Sequence, residues 1–280
     1  MARYSEDRSA PRASTTRRVA STLSEESLSQ LATRALTRLH AERHASVLSD
    51  EAQACIRVPL ATALATALCD DATDIADLMV GDLVEAGLSV EEICLDYLAP
   101  AARCLGEWWE GDRLPFTEVT MATARIQAML RRLPAGRRGT PSAGAKGAVF
   151  CAVPGEEHTL GVVMAADLFR RIGWDMGLLI GLEHDEILSR LKRDDRAVIG
   201  LSCSGDHSLP ALGRLMTSLR RARPDARLIV SGRIAGDARA VASLPEPDAV
   251  VTCMADAEIQ MRRLDAELRA EPAPRETSYA

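Results

Sequence analysis

The stretch GAVFCAVPGEEHTLG, from Gly147 to Gly161, predicts a buried β-strand that ends in a polar loop. Its apolar run is typical of a strand in a parallel sheet, the Pro-Gly pair is a turn signal, and a helical pattern follows. The loop presents His158 where an open α/β sheet binds its ligand. Gly161 permits close approach to the backbone, and Glu156 can hold the imidazole in one tautomer. The spacing Glu156-x-His158-x-x-Gly161 favours a metal-binding histidine with a carboxylate partner, although a solvated loop histidine gives the same pattern.

Length and charge limit the classes of protein. The chain has 280 residues, 47% of them hydrophobic, which is enough for two ordinary domains with separate cores. A formal net charge of -6 speaks against a general nucleic-acid binder, which normally carries a basic face. Residues 1–22 form an Arg-, Ser- and Thr-rich stretch without the apolar core of a signal peptide. They predict a disordered basic tail, with a contact to DNA or to a partner left open.

Cysteine usage and hydropathy indicate the compartment. The seven cysteines are scattered and form no CxxC pair, as expected for reduced thiols that pack as small apolar groups. No run of about 18 apolar residues is present, so no transmembrane helix is expected. These features predict a cytoplasmic protein.

Residues 23–133 predict a helical bundle. Apolar residues recur at helical spacing, and Ser89 to Glu92 reads as a capping box. Pro59 suits the first turn of the second helix. Short connections favour antiparallel packing of four or five helices. The predicted helices cover about residues 22–44, 59–70, 72–86, 89–108 and 116–133.

Residues 134–146, PAGRRGTPSAGAK, predict a linker, and from residue 147 the pattern changes. Short apolar runs then alternate with helical stretches up to residue 270, and residues 271–280 predict a disordered tail. The predicted strands are Ala148 to Val153, Met176 to Ile180, Ala197 to Leu201, Arg227 to Val230 and Ala249 to Thr252. The predicted helices are Leu160 to Ile172, Asp185 to Lys192, Ser208 to Ala222, Ala235 to Leu244 and Ala255 to Leu268. This alternation predicts a doubly wound, flavodoxin-like sheet of five parallel strands.

Small polar residues recur where these strands end. Ser202 and Ser204 follow the third strand, Ser231-Gly232 follows the fourth, and Thr252 ends the fifth. In any one loop such residues are ordinary. Their recurrence at three loops beside a histidine favours a groove that takes an extended polar group.

In this setting the sequence resembles cobalamin-binding domains, whose signature is ExHxxG or DxHxxG, a serine after the third strand and a glycine pair after the fourth. The resemblance implies that His158 is the lower axial ligand of cobalt, in place of the cofactor's own base, with Glu156 as its partner. The nucleotide tail would then enter the groove, where Ser231 replaces the first glycine of the pair. The cofactor-binding residues implied are Glu156, His158, Thr159, Gly161, Ser202, Ser204, Ser231, Gly232 and Thr252.

The preceding bundle is similar to the helical cap of methionine-synthase and light-sensor cobalamin proteins. CarH-type sensors show Trp-x9-Glu-His in this cap, and here Trp108 is followed at the same spacing by Glu118. Val119 stands where the histidine would be, so no upper histidine bond is expected there. The resemblance implies that Trp108 and Glu118 contact the upper face of the cofactor. A packed tryptophan and a solvated or capping glutamate are the ordinary alternatives.

Two longer segments, LAPAARCLGEWWEGDRLPFTEVTMATARIQAMLRRL and PGEEHTLGVVMAADLFRRIGWDM, resemble the PpaA/AerR family of cobalamin-binding antirepressors. That resemblance covers about Leu60 to Ala257. It implies a light- or redox-responsive regulator that contacts a PpsR/CrtJ-type repressor of photosynthesis genes. No nucleophile, general-base pair or phosphate loop stands out in the sequence, so no catalytic turnover is expected. No helix-turn-helix pattern precedes the bundle, so a protein partner is favoured over direct DNA contact.

Several alternatives remain open at this point. A corrinoid methyl carrier shares both domains, and a haem-binding redox sensor would need only His158 and an apolar slot. The adenosyl, methyl and hydroxo forms of cobalamin are equally compatible with the sequence. His184 and His207 also follow predicted strands, and His207 is the alternative metal ligand.

Overall fold

The chain divides into two compact units, Met1–Pro134 and Ala135–Ala280. A computed structural model describes residues 50–70, 74–134 and 147–270, with side chains from residue 59 onward in the first of these ranges. The predicted basic tail and first helix lie outside the described residues. So do nearly all of the predicted linker and the last ten residues.

The first unit is helical. Its described helices are α1 (Asp50–Cys69), α2 (Asp74–Glu85), α3 and α4 (Phe116–Arg132). Helix α3 is one continuous run that consists of an α-helical turn Val90–Glu92, a π-helical segment Ile93–Leu98 and an α-helical part Ala99–Glu110. The capping box predicted at its start is present, with both reciprocal bonds between Ser89 and Glu92.

The prediction that Pro59 lies in the first turn of its helix is wrong, because Pro59 lies inside α1. Residues 50–54, DEAQA, are mostly strong helix formers. Helix formation therefore extends past the proline, although proline cannot donate the backbone hydrogen bond of a helix interior.

The core of this unit lies between α1, α3 and α4. Leu64, Leu105 and Ile126 are almost fully buried, and each contributes about 1.5–3 kcal/mol by leaving water. The guanidinium of Arg125 donates hydrogen bonds of 2.6 Å to the carbonyl oxygens of Leu68 and Asp70. This contact satisfies the C-terminal end of α1 and ties it to α4.

The second unit is a doubly wound α/β domain, as predicted. All strands are parallel, in the order β2-β1-β3-β4-β5. The strands are β1 (Gly147–Ala152), β2 (Asp175–Leu179), β3 (Val198–Ser202), β4 (Arg227–Ser231) and β5 (Ala249–Val250). The helices are α5 (Leu160–Arg171), α6 (His184–Lys192), α7 (Leu209–Ala222), α8 (Ala238–Ala242) and α9 (Met254–Ala270). In this strand order the chain changes direction between β1 and β3, which is where such sheets bind ligands.

Both faces of the sheet are covered, which explains why the strands read as continuous apolar runs. One face packs on α6 and α7 and includes Cys151, Leu201 and Val230. The other packs on α5 and α9 and includes Ala152 and Ile229. Strand side chains alternate between faces, so Ser202 and Ser231 lie on the α5 and α9 face.

Two predicted boundaries in this unit are wrong. Strand β5 ends at Val250, which leaves Thr252 outside the sheet. The predicted helix Ala235 to Leu244 is a 3-10 turn Arg233–Gly236 followed by the short α8. Asp237 causes this break, because its side chain accepts from the N–H groups of Arg239 and Ala240 and so starts a new helix. No helix within the described ranges is both long and apolar enough to cross a membrane.

Candidate functional site

The loop after β1 turns sharply before it reaches the histidine. Gly155 has φ of 78°, a conformation that favours glycine, and the Glu156 N–H donates to the Val153 carbonyl at 3.0 Å. This turn sends the Glu156 side chain inward, where it is 0% exposed, and the His158 side chain outward, where it is 49% exposed. The two side chains of the predicted pair therefore have different environments.

Glu156 joins two loops through its carboxylate. One oxygen, Oε1, accepts from the His158 backbone N–H at 2.7 Å and lies 2.9 Å from His158 Nδ1. The other, Oε2, accepts from the N–H groups of Ser204 at 2.6 Å and Gly205 at 3.4 Å. The loop that carries the histidine is thus bonded to the loop after β3.

These hydrogen bonds keep Glu156 ionised. Burial by itself would raise the pKa of this carboxyl group, but the bonds from the Ser204 and His158 backbones and from the His158 ring outweigh it. The pKa of Glu156 lies below its ordinary value as a result.

The position of Glu156 also fixes the chemistry of His158. An ionised carboxylate only accepts hydrogen bonds, so Nδ1 of the neutral imidazole carries the hydrogen and Nε2 presents a lone pair. This is the usual arrangement of a metal-binding histidine, in which the second ring nitrogen is held by a carboxylate. In the described part of the chain no group of three or more His, Cys, Asp or Glu could hold a metal ion. A single imidazole with a free Nε2 lone pair fits a metal that brings its other ligands with it, as cobalt in a corrin or iron in a haem does.

The serines predicted to line a groove form a row at the ends of the strands. Ala152 is in register with Ser202, and Ser202 with Ser231, across β1, β3 and β4. Ser202 is buried, and the half-buried Ser231 donates a weak hydrogen bond of 3.4 Å to the Leu201 carbonyl. A Cβ at Gly161, in the first turn of α5, would meet no atom within 4 Å. Two small polar groups thus lie on the face that α5 covers, and there is open space at the start of that helix.

Gly232 has a role that the sequence analysis did not identify. Its φ is 92°, and a Cβ there would lie 2.3 Å from the Cys203 carbonyl oxygen. The loops after β3 and β4 approach so closely that only glycine fits at this position. Its predicted cofactor contact stays a prediction.

The structure places the other predicted residues around this site. Ser204 contributes its backbone N–H to Glu156. Backbone donors leave no residue-type signal, so the sequence pointed only to the Ser204 hydroxyl. Thr159 precedes α5 without capping it, and Thr252 is exposed beyond β5. The cofactor contacts of Thr159, Thr252 and the Ser204 hydroxyl are not tested by the geometry.

The remaining histidines of this unit have protein partners. His184 Nε2 lies 3.2 Å from Ser218 Oγ, and His207 Nε2 lies 3.3 Å from the Gly155 carbonyl oxygen. The nearby thiols of Cys151 and Cys203 are buried and protonated near neutral pH. Burial raises the pKa of Cys151 to about 12, and burial followed by the charge of Glu156 raises the pKa of Cys203 to about 11.

In the helical unit, Trp108 lies half-buried near the end of α3. The Arg113 guanidinium lies 5.9 Å from the centre of its ring, within the range of a cation–π contact. Trp109 is 40% exposed and Phe116 is 65% exposed, and their rings are 6.4 Å apart. Glu118 and Val119 are half-buried in the first turn of α4. Cofactor contacts of Trp108 and Glu118 stay predictions.

Family comparisons match both units of the chain. Residues 147–264 match the B12 binding domain family, and residues 60–133 match a second family also described as a B12 binding domain. An uncharacterized 20.5 kDa protein from the bchF-crtJ intergenic region of Rhodobacter capsulatus is 32% identical over 163 residues. The match covers 56% of this chain and 84% of that relative. The chain belongs to the PpaA/AerR-type family of cobalamin-binding proteins.

A solved structure supports the fold of this family member. The monomethylamine corrinoid protein of Methanosarcina barkeri has a TM-score of 0.59 and 13% sequence identity, over 71% of this chain and 96% of that one. The similarity is one of fold. The family matches support corrinoid binding by this PpaA/AerR-type protein, and the pair of His158 and Glu156 fits a protein ligand to cobalt.

Proposed function

We propose that this chain is a cobalamin-binding transcriptional antirepressor that responds to light, to redox state or to both. In this proposal it acts on a PpsR/CrtJ-type repressor of photosynthesis genes through protein–protein contact. The proposal that the chain binds cobalamin rests on the Glu156–His158 pair. The Rhodobacter capsulatus relative supports the regulatory half, since its name places it next to crtJ, the gene name that designates this type of repressor.

The proposed roles of the site residues follow from their contacts. Glu156 holds the hydrogen on Nδ1 of His158, which leaves Nε2 to face a ligand from the half-exposed side of the ring. Ser202 and Ser231 supply hydroxyl groups to the nucleotide tail. Bound cobalamin would supply a cobalt centre whose upper ligand can be exchanged.

Signalling requires that two cofactor states differ in their contacts with a protein element that has two arrangements. Trp108 and Glu118 are the proposed contacts of the upper face. Val119 supplies no imidazole there, so a change of upper ligand would be felt through packing and hydrogen bonding. A repressor that binds one arrangement of the helical unit better than the other would read the cofactor state.

We propose that this chain alone does not catalyse a reaction. Two other functions share the same fold and ligand. A corrinoid methyl carrier is one, and the structural similarity to a corrinoid protein of Methanosarcina barkeri is a similarity of fold that suits both functions. A haem-binding redox sensor is the other, with His158 as the iron ligand. In that case the row of serines at Ser202 and Ser231 would have no ligand group to bind.

The cofactor proposal is tested by reconstitution. Wild type, His158→Ala and the matched control His184→Ala are titrated with hydroxo-, methyl- and adenosylcobalamin and with haem, in the dark and in light. We expect wild type and the control to show an imidazole-ligated cobalamin spectrum. Loss of the ligand in His158→Ala should weaken binding by about tenfold or more. An unchanged spectrum and affinity in His158→Ala would contradict the ligand assignment, and tighter haem binding would favour the redox sensor.

The regulatory proposal has its own measurement. The affinity of a purified PpsR-type repressor for its operator is measured with this chain present in each cofactor and light state. We expect one state to weaken operator binding and cofactor-free His158→Ala protein to have no effect. If no state changes operator binding, the antirepressor proposal fails while cobalamin binding stands. Methyl transfer from the methylcobalamin-loaded chain to a thiol acceptor by a partner methyltransferase would then support the carrier.

A further inference from the structure

His207 contacts the loop that carries the predicted cobalt ligand. Its Nε2 lies 3.3 Å from the Gly155 carbonyl oxygen. A carbonyl oxygen only accepts, so Nε2 must carry the hydrogen and donate it. His207 lies in the 3-10 turn Asp206–Ser208, which follows β3, whereas Gly155 lies in the turn that follows β1.

The imidazole of His207 rests against the backbone of Gly205. A Cβ at Gly205 would lie 2.3 Å from His207 Cε1 and 2.4 Å from Nδ1. The ring therefore occupies the space that any other residue at 205 would fill. Packing against Gly205 directs Nε2 toward Gly155, although the His207 side chain is otherwise exposed.

Two side chains thus tie the β1 loop to the β3 loop. Glu156 provides a buried connection through the N–H groups of Ser204 and Gly205. His207 provides an exposed connection to Gly155, the residue just before Glu156. Gly155 has φ of 78° and sets the direction in which the chain enters Glu156 and His158.

We infer that His207 is a positioning residue that holds the His158 loop in the form that binds cobalt. This inference rests on the proposed role of His158 as the lower ligand. A loop ordered before binding does not lose its conformational entropy when the cofactor arrives. The contact with Gly155 thereby increases both the affinity for cobalamin and the fraction of bound cofactor that is ligated by His158.

Three substitutions at His207 separate the contact from the ring. His207→Ala removes both the ring and its hydrogen bond to the Gly155 carbonyl oxygen. His207→Gln places an amide nitrogen near the position of Nε2 and is expected to preserve the bond to Gly155. His207→Asn is too short to reach, since its amide corresponds to Nδ1. A net hydrogen bond of ordinary strength predicts about three- to tenfold weaker cobalamin binding for the Ala and Asn variants, with recovery in Gln.

Gly205→Ala breaks the same contact while His207 remains. The backbone at Gly205 has φ of -109° and ψ of 144°, which alanine adopts freely. The atom that must move is in an exposed imidazole, so the ring swings away at little cost to folding. We expect the unfolding midpoint of the cofactor-free protein to stay near that of wild type, while cobalamin binding weakens as in His207→Ala. His184→Ala, a histidine bonded to Ser218 on another loop, is the matched control and should behave as wild type.

A double-mutant cycle with His158 tests whether His207 acts through the ligand. Hydroxocobalamin affinity and the imidazole-ligated absorption band are measured for His158→Ala, His207→Ala and the double variant. If His207 only positions His158, its removal has no further effect once His158 is absent. Additive losses would overturn the inference, because they mean that His207 touches the cofactor itself. An imidazole band that survives in His158→Ala and disappears in the double variant would make His207 the ligand, and would refute both this inference and the proposed site.

Discussion

Glu156 remains charged in a buried position because hydrogen-bond donors surround both of its oxygens. Ser204, Gly205 and the His158 backbone supply N–H groups, and the His158 ring supplies another. An unpaired buried carboxylate would be too costly to keep ionised. These donors belong to the protein, so the tautomer of His158 is set before any cofactor binds.

Glu156→Gln is expected to change the pH dependence of stability. The pKa of Glu156 is lowered in the folded protein, so its stabilising effect is complete above the ordinary value of 4.5 and is lost as pH falls through the lower folded value. The amide must also place an NH2 group against backbone N–H donors. We expect a loss of about 1–3 kcal/mol in unfolding free energy at neutral pH and a smaller loss below pH 4.

Urea unfolding of the cofactor-free protein between pH 3 and 7 measures this difference. Glu157→Gln is the matched control, since Glu157 is the exposed neighbour in the same loop. The control should follow the wild-type curve. A constant offset between Glu156→Gln and wild type at every pH would mean that the carboxyl group does not titrate as described.

At this scale the sequence predicts the residues whose contacts are local. Glu156, His158 and Gly161 lie within six positions, so their spacing alone indicates a supported histidine. The partners of Glu156 in the β3 loop are backbone N–H groups, which have no residue signature. The role of Gly232 could not be foreseen either, because it depends on how closely the loop after β4 approaches Cys203.

Among the elements, α3 shows how a proline is accommodated inside a buried helix. Pro100 cannot donate a backbone hydrogen bond, and its ring crowds the carbonyl four residues earlier. The π-helical segment ends just before it, with the Ala99 N–H bonded to the Cys94 carbonyl. This wider turn lets the helix pass the proline without stopping. Ile93 and Tyr97 of this π-helical segment are buried in the core of the helical unit.

The start of α3 is expected to depend on Ser89. Its hydroxyl accepts from the Glu92 N–H at 3.1 Å, and the Glu92 carboxylate accepts from the Ser89 N–H at 2.7 Å. Ser89→Ala should lower the unfolding free energy by about 1 kcal/mol, whereas Ser89→Asn keeps an N-cap acceptor and should cost much less. Thermal unfolding of the helical unit, followed by circular dichroism, measures the change. If Ser89→Ala melted at the same temperature as wild type, the capping box would not be stabilising.

The elements of the α/β unit were predictable because each buries a continuous or periodic apolar face. Both sheet faces are covered, and this produces the five short apolar runs. Two prediction errors, one at Asp237 in this unit and one at Pro59 in the helical unit, arise where individual residues compete with the apolar pattern. Asp237 starts a new helix within a stretch that reads as one, and Pro59 fails to start a helix because strong helix formers precede it.

Over the whole molecule, the proposed cofactor contacts are divided between two units that have separate cores. Glu156, His158 and the row of serines belong to the α/β unit. Trp108 and Glu118, the proposed contacts of the upper face, belong to the helical unit. The proposed regulatory function would need both parts, because His158 would hold the cofactor whereas a change at Trp108 and Glu118 would have to reach a surface that a partner reads.

Hydrogen exchange measured by mass spectrometry can test this division in the intact chain. Binding slows exchange of amides that open only when the cofactor leaves, by up to about 100-fold at a hydroxocobalamin concentration 100 times Kd. We expect protection in peptides that cover the loops at His158 and Ser204, and also in those that cover Trp108 to Glu118. His158→Ala at the same concentration should lose most of both. Protection confined to the α/β unit would leave the Glu156–His158 site intact but remove Trp108 and Glu118 from it, and the signal would then have to leave through the α/β unit alone.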